Sequence, residues 1–242
     1  MPSVPRATIR KSAIPSSRPR KSWRKSANRC RTLSESVAPG PPGRTEAKGF
    51  CLVLSAPSGT GKTTIGELLT TGDPAIVRSV SMTTRKKRPN ERDGIDYQFV
   101  SADEFKEKIR KGAFLEWAEV YDGVLYGTPR DAVERVIRSG GVALLVIDVQ
   151  GGGAVKAIFP EAVLVFLIPP SLDSLARRLK QRGLETDEQI RKRLEKARTE
   201  MKYLPAYDYG VDNEDGKQQS TVDAIRGIIA AERRRISRWE QP

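Results

Sequence analysis

The sequence predicts an α/β fold, a parallel sheet core flanked by helices. Three observations carry this expectation. Apolar runs at Phe50–Leu54, Val142–Ile147 and Ala162–Ile168 lack period-two alternation, as central strands covered on both faces do. The first run breaks into a glycine-rich turn and then a polar stretch with helical character. Strand-like and helix-like segments alternate with short connections from Gly49 onward, the pattern of a doubly wound sheet.

Residues 1–48 precede this pattern. They are rich in Ser, Pro and Arg, carry twelve Lys or Arg against Glu35 and Glu46, and show no periodicity. Such a segment reads as disordered. Most of the chain's net charge of +13 sits here, so an argument for nucleic-acid binding rests on this arm and not on the nearly balanced remainder. Three readings compete for it: an Arg- and Ser-rich transit peptide, a start assigned too far upstream, and an arm for anionic surfaces. The first two are favoured and stay unseparated at this level.

The remaining elements follow in order. "SADE" (Ser101 to Glu104) and "TDEQ" (Thr186 to Gln189) are capping boxes that open helices. Thr221 and Val222 open a last amphipathic segment running toward Trp239. No apolar stretch reaches the roughly 18 residues of a membrane span. Cys30 and Cys51 sit in unlike contexts, which fits neither a disulfide framework nor a metal cluster and favours a reducing compartment. The chain has no histidine, so Ser–His nucleophiles and histidine metal sites are excluded. Chemistry must run on Lys, Arg, acids, hydroxyls and backbone.

The glycine-rich turn is "APSGTGKTT", Ala56 to Thr64. A phosphate cradle needs inward-pointing backbone N–H groups, little side-chain bulk and a helix N-terminus behind it. Pro57, Ser58, Gly59, Thr60 and Gly61 form the turn, Lys62 reaches the β- and γ-phosphates, Thr63 offers a hydroxyl to Mg²⁺, and Thr64 follows in the helix. Ala56 replaces the usual first glycine, a change that costs little at negative φ and about 1–2 kcal/mol at positive φ. An ordinary Gly/Ser turn is the bland alternative, and the register of strand, glycines, Lys and Thr weighs against it. On the acceptor side, Arg85 and Arg88 lie three apart with Tyr97 beyond Gly94. Two guanidinium forks and a phenol suit a dianionic phosphate, although a solvated basic loop has the same composition.

The set "SAPSGTGKTT", "SVSMTTRKKRP", "DGIDYQFVS", "GAFLEWAEV", "YGTPR", "VIDVQG" and "RLKQRG", in this order and spacing, resembles the guanylate kinase family of nucleoside monophosphate kinases over about residues 49–235. The resemblance implies a P-loop NTPase-type core, a small mixed GMP-binding subdomain over about 82–130 and a helical lid over about 174–204, all within a domain spanning 49–242. It implies ATP and GMP as substrates, Mg²⁺ as cofactor, no membrane partner and a cytoplasmic location, or an organelle if residues 1–48 are a transit peptide. By position, Ser81, Arg85, Arg88, Tyr97 and Tyr126 match residues on the GMP phosphate. Glu116 matches the carboxylate that reads guanine, with Thr128 and Asp148 beside it. Arg178, Arg182 and Arg193 match lid arginines that join Lys62 over the ATP phosphates, and Asn213 resembles the residue beside adenine.

Guanine chemistry agrees with this: N1 and N2 both donate, and one carboxylate can accept from both, whereas adenine N1 would meet it lone pair to lone pair. Phosphoryl transfer needs positioning and charge neutralisation, not a histidine. Two further departures accompany Ala56. Val146 stands where many relatives carry an acid, and the loop "VYDGVLYG" is one residue longer than the common form. A guanylate-kinase-like interaction module is the main alternative. Such modules typically lose the cradle, which is present here. A P-loop kinase for another phosphorylated small molecule would lack the guanine-reading set.

Overall fold

The computed structural model describes residues 48–121, 123–181 and 186–238. These all fall within one compact unit, Pro41–Pro242. Of the arm read over residues 1–48, only Lys48 is among them, and Arg182 and Trp239 also lie outside the described residues.

Five parallel strands form the main sheet: β1 (Phe50–Ser55), β2 (Ile76–Arg78), β7 (Val142–Val146), β8 (Val163–Ile168) and β9 (Tyr209–Asp212), in the order β2-β7-β1-β8-β9. The three apolar runs are its three central strands. Alternate residues face opposite sides, and both sides are covered. Phe50, Leu52 and Leu54 pack with Ile65 and Leu69 of α1 (Lys62–Gly72) and with Val222, Ile225 and Ile229 of α7 (Gln218–Glu232). Cys51 and Val53 pack on the other side with Val133 of α3 (Arg130–Arg138) and Val155 of α4 (Val149–Ile158). Burial pushes the Cys51 thiol up to about 12, so it is an inert core residue.

A second, mixed sheet is built between Met82 and Pro129. Its strands are β3 (Met82–Thr83), β4 (Gln98–Phe99), β5 (Phe114–Tyr121) and β6 (Val124–Pro129), in the order β4-β3-β6-β5. Its own small core joins Met82, Phe114 and Leu125 to Phe105 of α2 (Ala102–Arg110). The β5–β6 pairing shifts register between Phe114 and Glu116 and again between Glu119 and Tyr121, and Glu116 pairs directly with Thr128. Two helices, α5 (Leu172–Gln181) and α6 (Asp187–Met201), follow β8.

Both predicted caps start helices. At Thr186 the box is complete, the hydroxyl accepting from Gln189 N and the Gln189 side-chain Oε1 accepting from Thr186 N. At Ser101 the hydroxyl accepts from Glu104 N at 3.1 Å. Helix α7 begins at Gln218, three residues before the predicted opening. Thr221 is a buried first-turn residue whose hydroxyl donates to Asp212 O and Asn213 Oδ1. That helix ends at Glu232, short of the predicted run toward Trp239.

A buried charge pair ties the end of the described chain to this core. Arg238 donates to Glu232 Oε2 (3.0 Å) and to Glu161 O (3.0 Å), and its guanidinium lies 4.4 Å from the Phe50 ring centroid. Removing one partner of a buried pair strands the other. Tyr209 and Arg235 would still contact Glu232, so the full penalty is not expected. Arg238→Met should lower stability by about 2–3 kcal/mol, read as a reduced urea midpoint at unchanged slope. A loss below about 0.5 kcal/mol would class the pair with surface contacts.

Candidate active site

The glycine-rich turn sits at the carboxyl end of β1, beside the ends of β7 and β8, where α/β sheets bind ligands. Its two left-handed positions are Gly59 (φ 90°) and Gly61 (φ 102°). A side chain at Gly61 would also meet Asn213 Nδ2 at 3.2 Å. Ala56 is fully buried in the core between sheet and helix, so its methyl contributes packing there. Pro57 is buried, and its carbonyl accepts from Thr60 N at 3.1 Å. The Lys62 ammonium donates to Ala56 O, folding the side chain back over the loop. Burial lowers the Lys62 pKa, and the charges of Glu200 and Asp148 oppose that shift.

A cavity of about 330 Å³ opens beside this lysine, lined by Lys62, Ser81, Tyr97, Glu116, Tyr126 and Asp148 among others. Three elements bring these residues together: the loop after β1, the second sheet and the start of α4. Asp148 caps α4, accepting from Gly151 N at 2.9 Å. A Cβ on Gly151 would lie 3.3 Å from Glu116 Oε2, so a glycine lets the helix start approach the second sheet. The Thr128 hydroxyl, itself buried, donates to Glu116 Oε1 at 2.6 Å. Burial raises the Glu116 pKa, the Thr128 hydrogen bond opposes that, and the Asp148 charge adds to it. The other oxygen of this carboxylate is the one nearest α4.

Arg85 stands at the edge of the second sheet. It forms a fork-on-fork pair with Glu91 (3.0 and 2.7 Å), and its Nε donates to Tyr126 Oη at 3.1 Å. Its guanidinium also lies 5.5 Å from the Tyr97 ring centroid, and Tyr97 and Tyr126 meet edge to face. Arg88 is exposed, and its backbone N–H donates to the same Glu91. Val146, at the position where an acid is common in the resemblance, lines the cavity and packs against Gly66 of α1, where a Cβ would lie 2.9 Å from its methyl.

A second cavity, about 310 Å³, lies on the other side of the turn and is lined by Gly59, Thr60, Gly61, Thr64, Arg178 and Asn213 with three neighbours. Asn213 is buried and donates to Thr60 O at 2.6 Å. All three guanidinium nitrogens of Arg178 donate to protein: Nη1 to Thr60 O (2.9 Å), Nη2 to Asn213 O (2.9 Å) and Nε to Asp215 (2.7 Å). It braces the turn against the segment after β9. Arg193 is half-buried on α6.

Thr63 is exposed in the first turn of α1. Among the described residues no group of three or more acids or cysteines could hold a metal by itself. The Thr63 hydroxyl is a hard oxygen donor of the kind that Mg²⁺ takes.

Residue-type reasoning missed Glu200 and Lys196 as residues lining the first cavity beside Ser58. Glu200 of α6 is buried, lines the cavity and accepts from Ser58 N at 3.1 Å. A signal existed: Ile190, Ala197 and Glu200 form the buried stripe of α6, and an acid on an apolar stripe asks for a partner.

Known proteins resemble the chain over most of its length. The family model for guanylate kinase matches residues 48–232. Over 193 residues the chain is 44% identical to a guanylate kinase of Clostridioides difficile, covering 80% of this chain and 93% of that one. It is 47% identical over 187 residues to one of Paramagnetospirillum magneticum, covering 77% and 86%. The fold is similar to the crystal structure of guanylate kinase from Anaplasma phagocytophilum, with a TM-score of 0.66 and 36% identity over 80% of this chain and 91% of that one. The chain belongs to the guanylate kinase family.

Proposed function

We propose that the chain transfers the γ-phosphate of ATP to GMP, giving ADP and GDP. The observation that carries this reading is the shared cavity of Lys62, Glu116 and Asp148: a half-buried cation at a phosphate turn faces a half-buried carboxylate suited to guanine N1 and N2. Glu116, with Thr128 and Asp148, reads the base. Ser81, Tyr97, Tyr126 and Arg85 take the GMP phosphate, and Arg88 reaches it from the adjoining loop. The turn from Ala56 to Thr64 cradles the donor phosphates, and Asn213 lies on the adenine side. Lys62 and the arginines of the two helices after β8 supply positive charge where the transferred group carries it. Mg²⁺ would be held by the Thr63 hydroxyl together with the phosphates and would add charge neutralisation there.

An assay coupled to ADP release, run with GMP, AMP, CMP and UMP, tests the assignment. GMP should be strongly preferred, and equal rates with AMP would overturn it. The acceptor-phosphate assignment has its own check. Arg85→Ala should weaken GMP binding by about 10–100-fold, the worth of a charge-assisted fork, while leaving guanosine binding nearly unchanged. Equal losses for both ligands would make Arg85 a support of the fold. The domain division at residue 48 and the cytoplasmic setting belong to the same proposal, and N-terminal sequencing of the native protein tests whether residues 1–48 persist.

A further inference from the structure

A buried acid in a phosphate site needs an account, because it repels the ligand that the site is built for. Glu200 is 6% exposed and comes from the last turn of α6, 142 residues along the chain from the turn that it touches. One of its oxygens accepts the Ser58 N–H at 3.1 Å, and the other lies 3.9 Å from the Lys196 ammonium. Its charge is also the leading one acting on Lys62. The turn has backbone donors and a half-buried ammonium, so without a ligand it is an electropositive hole. Glu200 fills that hole with the chain's own anion.

We infer that Glu200 is a positioning residue that serves as the internal anion of the phosphate turn: it holds the Ser58 amide and offsets Lys62 until the donor's phosphate takes its place. Carboxylate and phosphate cannot share one amide in a site of low dielectric, because like charges at close range cost several kcal/mol. Arrival of the donor therefore expels Glu200. Since Glu200 belongs to α6, which also carries Arg193, the exchange frees that helix to move when, and only when, the turn is filled. Lys196 accompanies the carboxylate and keeps it paired after release. The inference rests on the turn from Ala56 to Thr64 being the donor's phosphate site.

Inorganic tripolyphosphate, which carries the phosphates without a base, is a suitable probe for the full chain. Glu200→Gln keeps an oxygen for the Ser58 amide and removes only the charge. Calorimetry should show tripolyphosphate binding the variant at least about tenfold tighter, one decade being less than the cost of a close like-charge pair. A structural role alone predicts unchanged or weaker binding, and either result overturns the inference. The wild type provides a measurement that does not depend on the variant folding. With ¹³C-labelled glutamate carboxyls, the Glu200 resonance and the Ser58 amide should shift on titration with the same Kd. A bound tripolyphosphate that leaves the Glu200 resonance unmoved would also overturn it. No binding by the wild type would overturn the phosphate-turn reading itself, and this inference with it.

Discussion

Lys62→Ala is expected to lower kcat by about 10²–10³-fold, the usual loss for one preorganised donor at a transferring group, with GMP affinity nearly unchanged. The asymmetry follows from where the ammonium sits. It is half-buried, folded over the turn and bonded to Ala56 O, so it is oriented before any nucleotide arrives and spends little on reorganisation. Its charge matters most when negative charge moves between donor and acceptor, less when the acceptor is merely bound. Glu116 and Tyr126, which are proposed to hold GMP, do not depend on it. Steady-state kcat together with equilibrium GMP binding on the same preparation checks this. Near-normal turnover would remove Lys62 from the transfer, and a parallel loss of GMP binding would mean that the substitution collapsed the cavity.

Glu116→Gln should reduce kcat/KM for GMP and compress the GMP-to-AMP ratio by about 10²–10³-fold, because a half-buried donor then faces a donor. The amide keeps the size of the carboxylate, and one end can donate to adenine N1, so AMP should gain while GMP loses. Thr128, at 2.6 Å from Glu116 Oε1, selects which end that is, since its hydroxyl needs the remaining oxygen. The wild type should also lose GMP efficiency toward acid pH sooner than an exposed glutamate would allow. The sign follows from burial: the Glu116 pKa lies above the ordinary carboxyl value, so the group gains its proton, and loses its ability to accept from both guanine donors, earlier as pH falls. The variant should lack that acid limb. An unchanged nucleotide ratio, or an identical acid limb in both proteins, would take Glu116 out of base recognition.

Much of the fold was legible because strands buried on both faces leave a simple mark. Phe50–Leu54, Val142–Ile147 and Ala162–Ile168 are apolar without alternation, and each is a central parallel strand. Caps were legible because they depend on contacts within one turn, as at Ser101 and Thr186. The start of α7 was misjudged for a related reason. Thr221 has the side chain of a cap, yet its hydroxyl bonds to Asp212 and Asn213 of the preceding segment, and a long-range partner cannot be read from local spacing.

The sequence by itself determined the α/β class, the phosphate turn with its lysine, and the family, because each is written in short segments whose residue types and spacing carry the chemistry. Only the tertiary structure decided how those segments share a site. It brought Glu116 and Asp148, 32 positions apart, to one wall through the close approach at Gly151, and it set Glu200 of α6 on the amide of Ser58. It also engaged the forks of Arg85 and Arg178 with Glu91, Asp215 and backbone carbonyls. A charged side chain's partner is fixed by distances of a few ångströms across elements remote in the chain, and at that range Coulomb and hydrogen-bond energies depend on placement and burial, which residue order does not encode locally.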